Sequence, residues 1–186
     1  MKYIIAFLLL FATPAHALEK VEYSTGRSSI SGTIDLGPLD SPSQTLKDLA
    51  KNYIDVPKGA TDWKLLGSTA EKNIQGKDKD GYEYQYYKPV FTPEVKALAG
   101  KEITVKGFMF PLESSDRQKE FLLGPFPVGC PFHYHVAPAL VIEVHADKKP
   151  AKFSYDPITV KGVLELVPSD PDSGVFYRMK NAEVVK

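Results

Sequence analysis

The segment Cys130-Pro-Phe-His133-Tyr-His135 gathers the only cysteine and two of the four histidines of the chain into six residues. Thiolate and imidazole are ligands that suit zinc and copper in proteins. Cys130 and His133 are spaced like the two cysteines of a Cys-x-x-Cys knuckle, so they can meet across a tight turn that Pro131 helps to fix. His135 faces the same way if this stretch is extended. The spacing therefore predicts a zinc or copper site formed by Cys130, His133 and His135.

Three protein ligands leave a fourth coordination position open, and the sequence identifies no fourth ligand. His145 is the obvious candidate. If residues 137–145 form one strand, however, its ends lie about 26 Å apart at ~3.3 Å per residue. By parity His145 then shares an outward face with Val141 and Glu143, so we expect a solvated histidine away from the site. The alternative for the segment itself is an inert buried cysteine with two surface histidines.

The N-terminus has the pattern of an export signal. Lys2 precedes the apolar run Tyr3–Ala12, and Ala15-His-Ala17 is a small-x-small cleavage site. Residues 1–17 are therefore predicted to be a signal peptide, cleaved after Ala17, which gives a periplasmic protein. Later stretches fall short of the roughly 18 to 20 apolar residues that cross a bilayer, so a soluble protein that does not span the membrane is expected.

Charge and cysteine content narrow the classes of partner. The chain has 23 basic and 23 acidic residues, and loss of Lys2 with the signal peptide leaves a net charge of −1 with neutral histidines. Such a balance produces no long-range field for a polyanion, so nucleic acid is not an expected partner. A single cysteine excludes an internal disulfide, which leaves Cys130 to stay free, pair with another molecule or bind a ligand.

The sequence patterns of the N-terminal half predict short, separate elements. Residues 18–60 are predicted to form an arm and a helix. Ser41 as cap, followed by proline and then Gln44, predicts a helix that ends before Pro57. Residues 63–66 are predicted to form a short strand, and the aromatic-polar alternation of residues 82–86 indicates a half-buried strand.

Two further local signals lie in the middle of the chain. The turn-rich stretch 76–81 contains Asp-Lys-Asp-Gly but lacks the other calcium ligands of an EF-hand loop, so a simple connection is expected there. Thr92 as cap, Pro93 at the first position and Gly100 at the end predict a short helix.

Residues 61–186 are predicted to form the main domain, and strand patterns dominate it after Gly100. The pentapeptide Ile-Thr-Val-Lys-Gly occurs at both 103–107 and 158–162, each within an alternating apolar pattern. A glycine inside a strand commonly marks a bulge or a barrel bend, so Gly107 and Gly162 are predicted to be structural. A third strand is predicted from Leu140, Ile142 and Val144, and the last from residues 175–179 with 182–185. We predict a mainly β protein, a small OB-like β-barrel with a short helical N-terminal extension.

Several phrases, taken in order, resemble the secreted bacterial proteins of the domain-of-unknown-function family DUF3299. They are Phe108-Met-Phe-Pro-Leu112, Phe121-Leu-Leu123, Gly129-Cys130, Ile142-Glu-Val144 and Pro157-Ile-Thr-Val-Lys-Gly162 followed by Leu164. The resemblance, from about Trp63 onward, implies an OB-like barrel in the bacterial envelope with a cysteine-containing loop. Some relatives are linked to zinc-responsive transport genes, which favours metal binding.

The chain departs from many relatives of that family at the loop itself. Where they have Cys-x-x-Cys, this chain has Cys130-Pro-Phe-His133. Thiol-disulfide exchange within one protein needs a second thiol, so redox chemistry is not expected. Imidazole replaces thiolate in many zinc sites, so metal binding remains compatible with the change.

Two functional hypotheses follow from these observations. The first is a periplasmic, soluble metal-binding accessory protein that holds zinc or copper and serves envelope transport or metal homeostasis. The alternative is a metal-free OB-like interaction module of an envelope transport or assembly complex, whose barrel face or edge contacts the partner. The tyrosines at 82, 84, 86 and 87 could stack a ligand, although packing is the commoner use of such a pattern. The sequence shows no nucleophile elbow, phosphate loop or zinc-protease motif, so an enzyme is not expected, and the oligomeric state stays open.

Overall fold

Strands form most of the regular structure in the computed structural model, which describes residues 46–77, 80–127, 129 and 137–185. The helices are α1 (Trp63–Leu66) and α2 (Pro93–Lys96), with 3-10 turns at Ala50–Asn52 and Pro138–Leu140. The strands are β1 (Ala70–Lys77), β2 (Glu83–Val90), β3 (Glu102–Pro111), β4 (Arg117–Gln118), β5 (Glu120–Gly124), β6 (Ile142–His145), β7 (Ala151–Lys152), β8 (Ile158–Leu166) and β9 (Tyr177–Val185).

Five of these strands close into a barrel in the order β3-β5-β6-β9-β8. Neighbours pair antiparallel except β6 and β9, which are parallel. Numbered along the chain, the barrel strands follow the order 1-2-3-5-4, and the first strand also pairs with the fourth. A five-stranded Greek-key barrel of this kind is the OB architecture. The prediction of a mainly β, OB-like barrel is confirmed.

The two copies of Ile-Thr-Val-Lys-Gly pair directly with each other across β3 and β8. Ile103 lies opposite Gly162, and Gly107 lies opposite Ile158. Beyond Gly107 the first strand changes partner, because Phe108 pairs with Gly124 of β5. The register of β8 against β9 shifts between Lys161 and Val163, a bulge centred on Gly162. Both predicted structural glycines therefore lie at irregularities that let the barrel close.

The barrel interior is filled by apolar side chains from every barrel strand. Fully buried members include Val105, Met109, Phe121, Leu123, Ile142, Val144, Val160, Leu164 and Met179. Tyr177 adds a polar link, because its buried hydroxyl donates to the Leu66 carbonyl at 2.8 Å and hydrogen-bonds the Thr69 hydroxyl at 2.6 Å. The indole of Trp63 donates to the Lys106 carbonyl at 2.7 Å. These bonds attach the segment around α1 to the barrel.

The prediction of a strand at residues 63–66 is wrong, since this stretch forms α1. Asp62 caps the helix by accepting a hydrogen bond from the Lys64 amide at 2.8 Å. Trp63 and Leu66, three positions apart, lie on one side of the turn, and both are buried. Burial against the barrel, rather than strand pairing, accounts for this apolar stretch.

The two other predicted helices differ in how much of each can be checked. The predicted start at Ser41 to Gln44 lies outside the described residues, whereas the 3-10 turn at Ala50–Asn52 ends before Pro57 as predicted. The second helix is confirmed as α2. The Thr92 hydroxyl accepts from the Val95 amide at 3.4 Å, and Gly100 has a φ of 71°, the left-handed conformation that favours glycine.

A two-stranded antiparallel hairpin of β1 and β2 lies outside the barrel sheet. Strand β1 was not predicted, because its mixture of charged, amide and small residues has little strand character. The predicted strand at residues 82–86 is confirmed in β2, which begins at Glu83 and continues to Val90. Its side chains are mostly exposed rather than half-buried, and Tyr84 is 45% exposed. The hairpin therefore presents aromatic rings to solvent.

The prediction of a single strand over residues 137–145 is also wrong. Pro138 begins a 3-10 turn that continues to Leu140, and β6 covers only Ile142–His145. Leu140, Ile142 and Val144 are all fully buried, as the apolar pattern predicted. The pattern identified the buried face but not the backbone conformation, because proline lacks the amide that strand pairing needs.

Candidate functional site

The connection between β5 and β6 contains the predicted metal-binding segment, and its described ends are fixed in the protein core. The two strands are antiparallel neighbours, with Leu123 opposite Ile142. On the entry side, Phe126 is fully buried and meets the Tyr53 ring edge-on, with 5.4 Å between ring centroids. On the exit side, Leu140 is fully buried. The chain therefore leaves and re-enters the barrel at neighbouring strands.

Cys130, His133 and His135 themselves lie outside the described residues, so their prediction as metal ligands stays a prediction. Gly129, which precedes the cysteine, occupies an exposed turn position. Within residues 46–77, 80–127, 129 and 137–185, no group of three or more His, Cys, Asp or Glu side chains could hold a metal ion.

His145 differs from the solvated histidine that was predicted, because its side chain is only 16% exposed and lies between two carboxylates. Its Nε2 is 2.6 Å from Glu143 Oε1, and its Nδ1 is 3.3 Å from Glu120 Oε1. Glu120 is the cross-strand partner of His145 in β5, which explains the second contact. The prediction that His145 lies far from the metal-binding segment assumed a single strand over residues 137–145, which the structure does not contain. Even so, both ring nitrogens are engaged by carboxylates at the end of β6 remote from the loop.

Glu143 and Arg178 extend this contact into a charged network on the barrel surface. They are cross-strand partners in the parallel β6–β9 pair, and the Arg178 Nε donates to Glu143 Oε1 at 2.6 Å. A second guanidinium nitrogen donates to Asp170 Oδ2 at 2.5 Å. The network therefore joins β5, β6, β9 and the connection that precedes β9.

The ionisation of these groups follows from their contacts. Burial disfavours the charged form of Glu143, but hydrogen bonds from Arg178 and His145 outweigh it and lower the pKa of this carboxyl. The Ser173 hydroxyl, then Arg178, hold the pKa of Asp170 well below its usual range. Hydrogen bonds to Glu143 and Asp170 raise the pKa of Arg178. The three groups are thus charged at neutral pH.

Arg178 and Asp170 were not predicted from the sequence, although part of the signal for this network was present. Glu143 and His145 alternate with apolar residues and so share one face of a strand. Arg178 lies 35 positions after Glu143 in the chain, so only the parallel pairing of β6 with β9 brings the two together. That pairing is a property of the barrel topology.

No helix in the described part of the chain is long and apolar enough to cross a membrane.

Comparison with known proteins places the chain in a family. A family model described as a protein of unknown function (DUF3299) matches residues 35–186. A crystal structure of a DUF3299 family protein from Pseudomonas aeruginosa is similar at 23% sequence identity and a TM-score of 0.37, covering 53% of this chain and 68% of that chain. No curated protein matches the chain. The match over residues 35–186 shows that this protein belongs to the DUF3299 family.

Proposed function

We propose that this protein is an exported, soluble metal-binding protein of the bacterial envelope, in which Cys130, His133 and His135 hold a zinc or copper ion. The observation that carries the proposal is the concentration of one thiol and two imidazoles within six residues of a single barrel connection. Its role would be accessory to an envelope transport or assembly system, or to metal homeostasis.

The described ends of the connection support this assignment. Leu123 and Ile142 are paired neighbours, so the two ends of the connection lie close together. A segment whose two ends are anchored close together loses less conformational entropy when its side chains converge on an ion than a free segment does. Phe126 and Leu140, both fully buried, supply the anchors.

The surroundings also support the choice of ligands. His145, the nearest described histidine in sequence, has carboxylates at both ring nitrogens. It therefore does not compete for the ion. Three protein ligands leave one coordination position open to water, a partner or a delivered substrate. Cys130 would bind as thiolate, so loading should release a proton and protect the sulfur from alkylation.

The test is a titration of zinc and of Cu(I) against a competing chelator on the chain that begins at Leu18. Cys130→Ser, His133→Ala and His135→Ala should each weaken affinity by at least about tenfold, the smallest loss usual even for outer-shell partners of a metal. His145→Ala is the matched control, because it removes an imidazole outside the connection, and its affinity should stay close to that of the unmodified protein.

A second outcome would replace the metal hypothesis. If the unmodified protein binds both ions no more tightly than the triple variant, metal binding is wrong and the metal-free interaction module becomes the preferred function. One observation favours that alternative independently. The β1–β2 hairpin lies outside the barrel sheet and exposes Tyr82 and Tyr87 at 74% and 43%, a surface suited to contact with a partner.

A further inference from the structure

A cleft of about 360 Å³ lies between the β1–β2 hairpin and the connection from β8 to β9. It is lined by Tyr84, Gln85, Tyr86, Pro171 and Asp172. This volume falls in the range of small-ligand sites. We call this cleft the hairpin groove.

One wall of the hairpin groove is aromatic and held in place. Tyr84 lies opposite Gly76 in the hairpin register, and its ring covers the glycine so closely that a Cβ there would be 2.6 Å from the ring Cζ. The Tyr86 ring follows at 5.9 Å between centroids. Hydrogen bonding by Ser169, which lies on the opposite connection, lowers the pKa of Tyr86. Glycine at position 76 thus allows an extended, half-exposed ring surface.

The opposite wall is fixed by Asp170. Its Oδ1 accepts hydrogen bonds from the amides of Asp172 and Ser173, both at 3.2 Å, and its Oδ2 accepts from Arg178. This side chain to backbone turn sets the conformation of the connection that presents Pro171 and Asp172 to the groove. Two walls that are already ordered reduce the entropy lost on binding a ligand.

The charges around the groove do not favour a strongly anionic ligand. Lys77, elsewhere on the hairpin, is paired with Glu83 at 3.4 Å, and the Lys88 ammonium lies 5.9 Å from the centre of the Tyr86 ring. The described lining residues therefore create no concentrated positive field that would attract a phosphate. A wholly apolar ligand is also disfavoured, because Gln85 and the Asp172 carboxylate would lose water without gaining hydrogen bonds.

A neutral oligosaccharide can contact both the aromatic and the polar side chains of the groove. Its C–H faces can stack on the exposed ring of Tyr84 and the half-buried ring of Tyr86, while its hydroxyls can exchange hydrogen bonds with amide and carboxylate groups. We propose that the hairpin groove binds a neutral oligosaccharide, with Tyr84 as the stacking platform and Asp172 on the facing wall. The proposal does not depend on Cys130 or on a bound metal, so either can fail without the other.

The experiment is a nitrogen-15 chemical-shift titration of the chain that begins at Leu18 with three soluble probes. These are the β-1,4 hexamers of N-acetylglucosamine and of glucose, and the α-1,4 heptamer of glucose. We expect at least one probe to shift amides of β1, β2 and residues 169–173 while leaving β5 unchanged. Tyr84→Ala should reduce its affinity at least tenfold, and Tyr84→Phe should retain it, because the ring rather than the hydroxyl stacks.

Two controls keep the result interpretable. Tyr155→Ala removes a tyrosine that is 78% exposed and packs on Phe153 rather than on the groove, so its affinity should not change. Asp172→Ala changes the facing wall and leaves the sequence of the hairpin unchanged. It should weaken binding, and this result stays interpretable even if Tyr84→Ala destabilises β2. The proposal is overturned if no probe shifts these amides at millimolar concentration, or if the responding probe binds both Tyr84→Ala and Asp172→Ala as well as it binds the unmodified protein.

Discussion

At the scale of single residues, the two glycines of the repeated pentapeptide occupy positions with no room for a side chain. A Cβ on Gly107 would lie 2.8 Å from the Gly124 carbonyl oxygen and 3.0 Å from Leu123 Cγ. A Cβ on Gly162 would lie 2.5 Å from Met179 Cγ. Gly107→Val and Gly162→Val should therefore each lower the free energy of unfolding by about 1 to 3 kcal/mol, the usual cost of overpacking. Urea denaturation at neutral pH measures this loss.

Thr104→Val provides the matched control for these glycine variants. It keeps a β-branched side chain of nearly the same shape at a half-buried position of the same strand, so its unfolding midpoint should change little. Midpoints of both glycine variants equal to that of the unmodified protein would contradict the close approach seen at these sites.

The sequence predicted that these two glycines matter, but not the physical reason. Their place in alternating apolar patterns suggests a bend, which is a local property. The atoms that exclude a side chain belong to Gly124 and Met179, on strands β5 and β9. Such contacts depend on the closed barrel, and a single sequence does not specify them.

At the scale of elements, the charged network of Glu143, Arg178 and Asp170 stabilises the parallel pairing of β6 and β9. The pKa values of Glu143 and Asp170 are lowered in the folded protein. Groups of this kind add stability above their unfolded pKa values, and that stability is lost as the pH falls through their folded values. Arg178→Met should lower the free energy of unfolding by about 1 to 2 kcal/mol at pH 7, because Glu143 loses a charged hydrogen bond. The difference from the unmodified protein should shrink below about pH 4.5, as the carboxyls become protonated.

Denaturant midpoints between pH 3 and pH 7 test this dependence. Lys180→Met is the control, because it removes a cation from the same strand whose ion pair with Glu165 is long, at 3.9 Å, and largely exposed. Its effect should stay below about 1 kcal/mol at every pH. A stability difference for Arg178→Met that is constant across this range would show that the network is not the source of the pH dependence.

Local signals predicted elements well where capping or alternation was strong and poorly where a tertiary contact decided the outcome. Thr92, Pro93 and Gly100 specified α2 without help from the rest of the chain. The only local helix signal at α1 is the Asp62 cap, and the apolar character of its residues fits a strand equally well. Burial of Trp63 against the barrel selects the helix, and no local pattern records that contact.

At the scale of the whole molecule, the OB-like barrel was predictable because its strands carry regular apolar alternation and glycine bends. The candidate metal site was predictable only as a set of residue types, Cys130, His133 and His135, since convergence depends on loop geometry. The hairpin groove was not predicted, although its tyrosines stood out as a group. Its second wall comes from residues 169–173, more than 80 positions later in the chain, and only the folded topology joins the two.

This division between barrel and hairpin predicts two levels of stability in one molecule. The barrel strands share a continuous buried core, whereas β1 and β2 form a two-stranded sheet with mostly exposed side chains. An isolated two-stranded hairpin is marginally stable in water. Amides of β1 and β2 should therefore exchange with solvent through local opening, whereas amides of β3, β8 and β9 should exchange only when the whole domain unfolds.

Native-state hydrogen exchange at several low urea concentrations separates these two routes. We expect hairpin amides to exchange at least about a hundredfold faster than barrel amides, at rates nearly independent of urea, since local opening exposes little new surface. Amides near Ala70 and Val90 should be slower than those near Lys77 and Glu83, because Thr69 is bonded to the buried Tyr177 at the base of the hairpin. Equal protection of hairpin and barrel, with the same urea dependence, would instead mean that β1 and β2 unfold as part of the barrel. The Tyr84 surface of the hairpin groove would then be as rigid as the core.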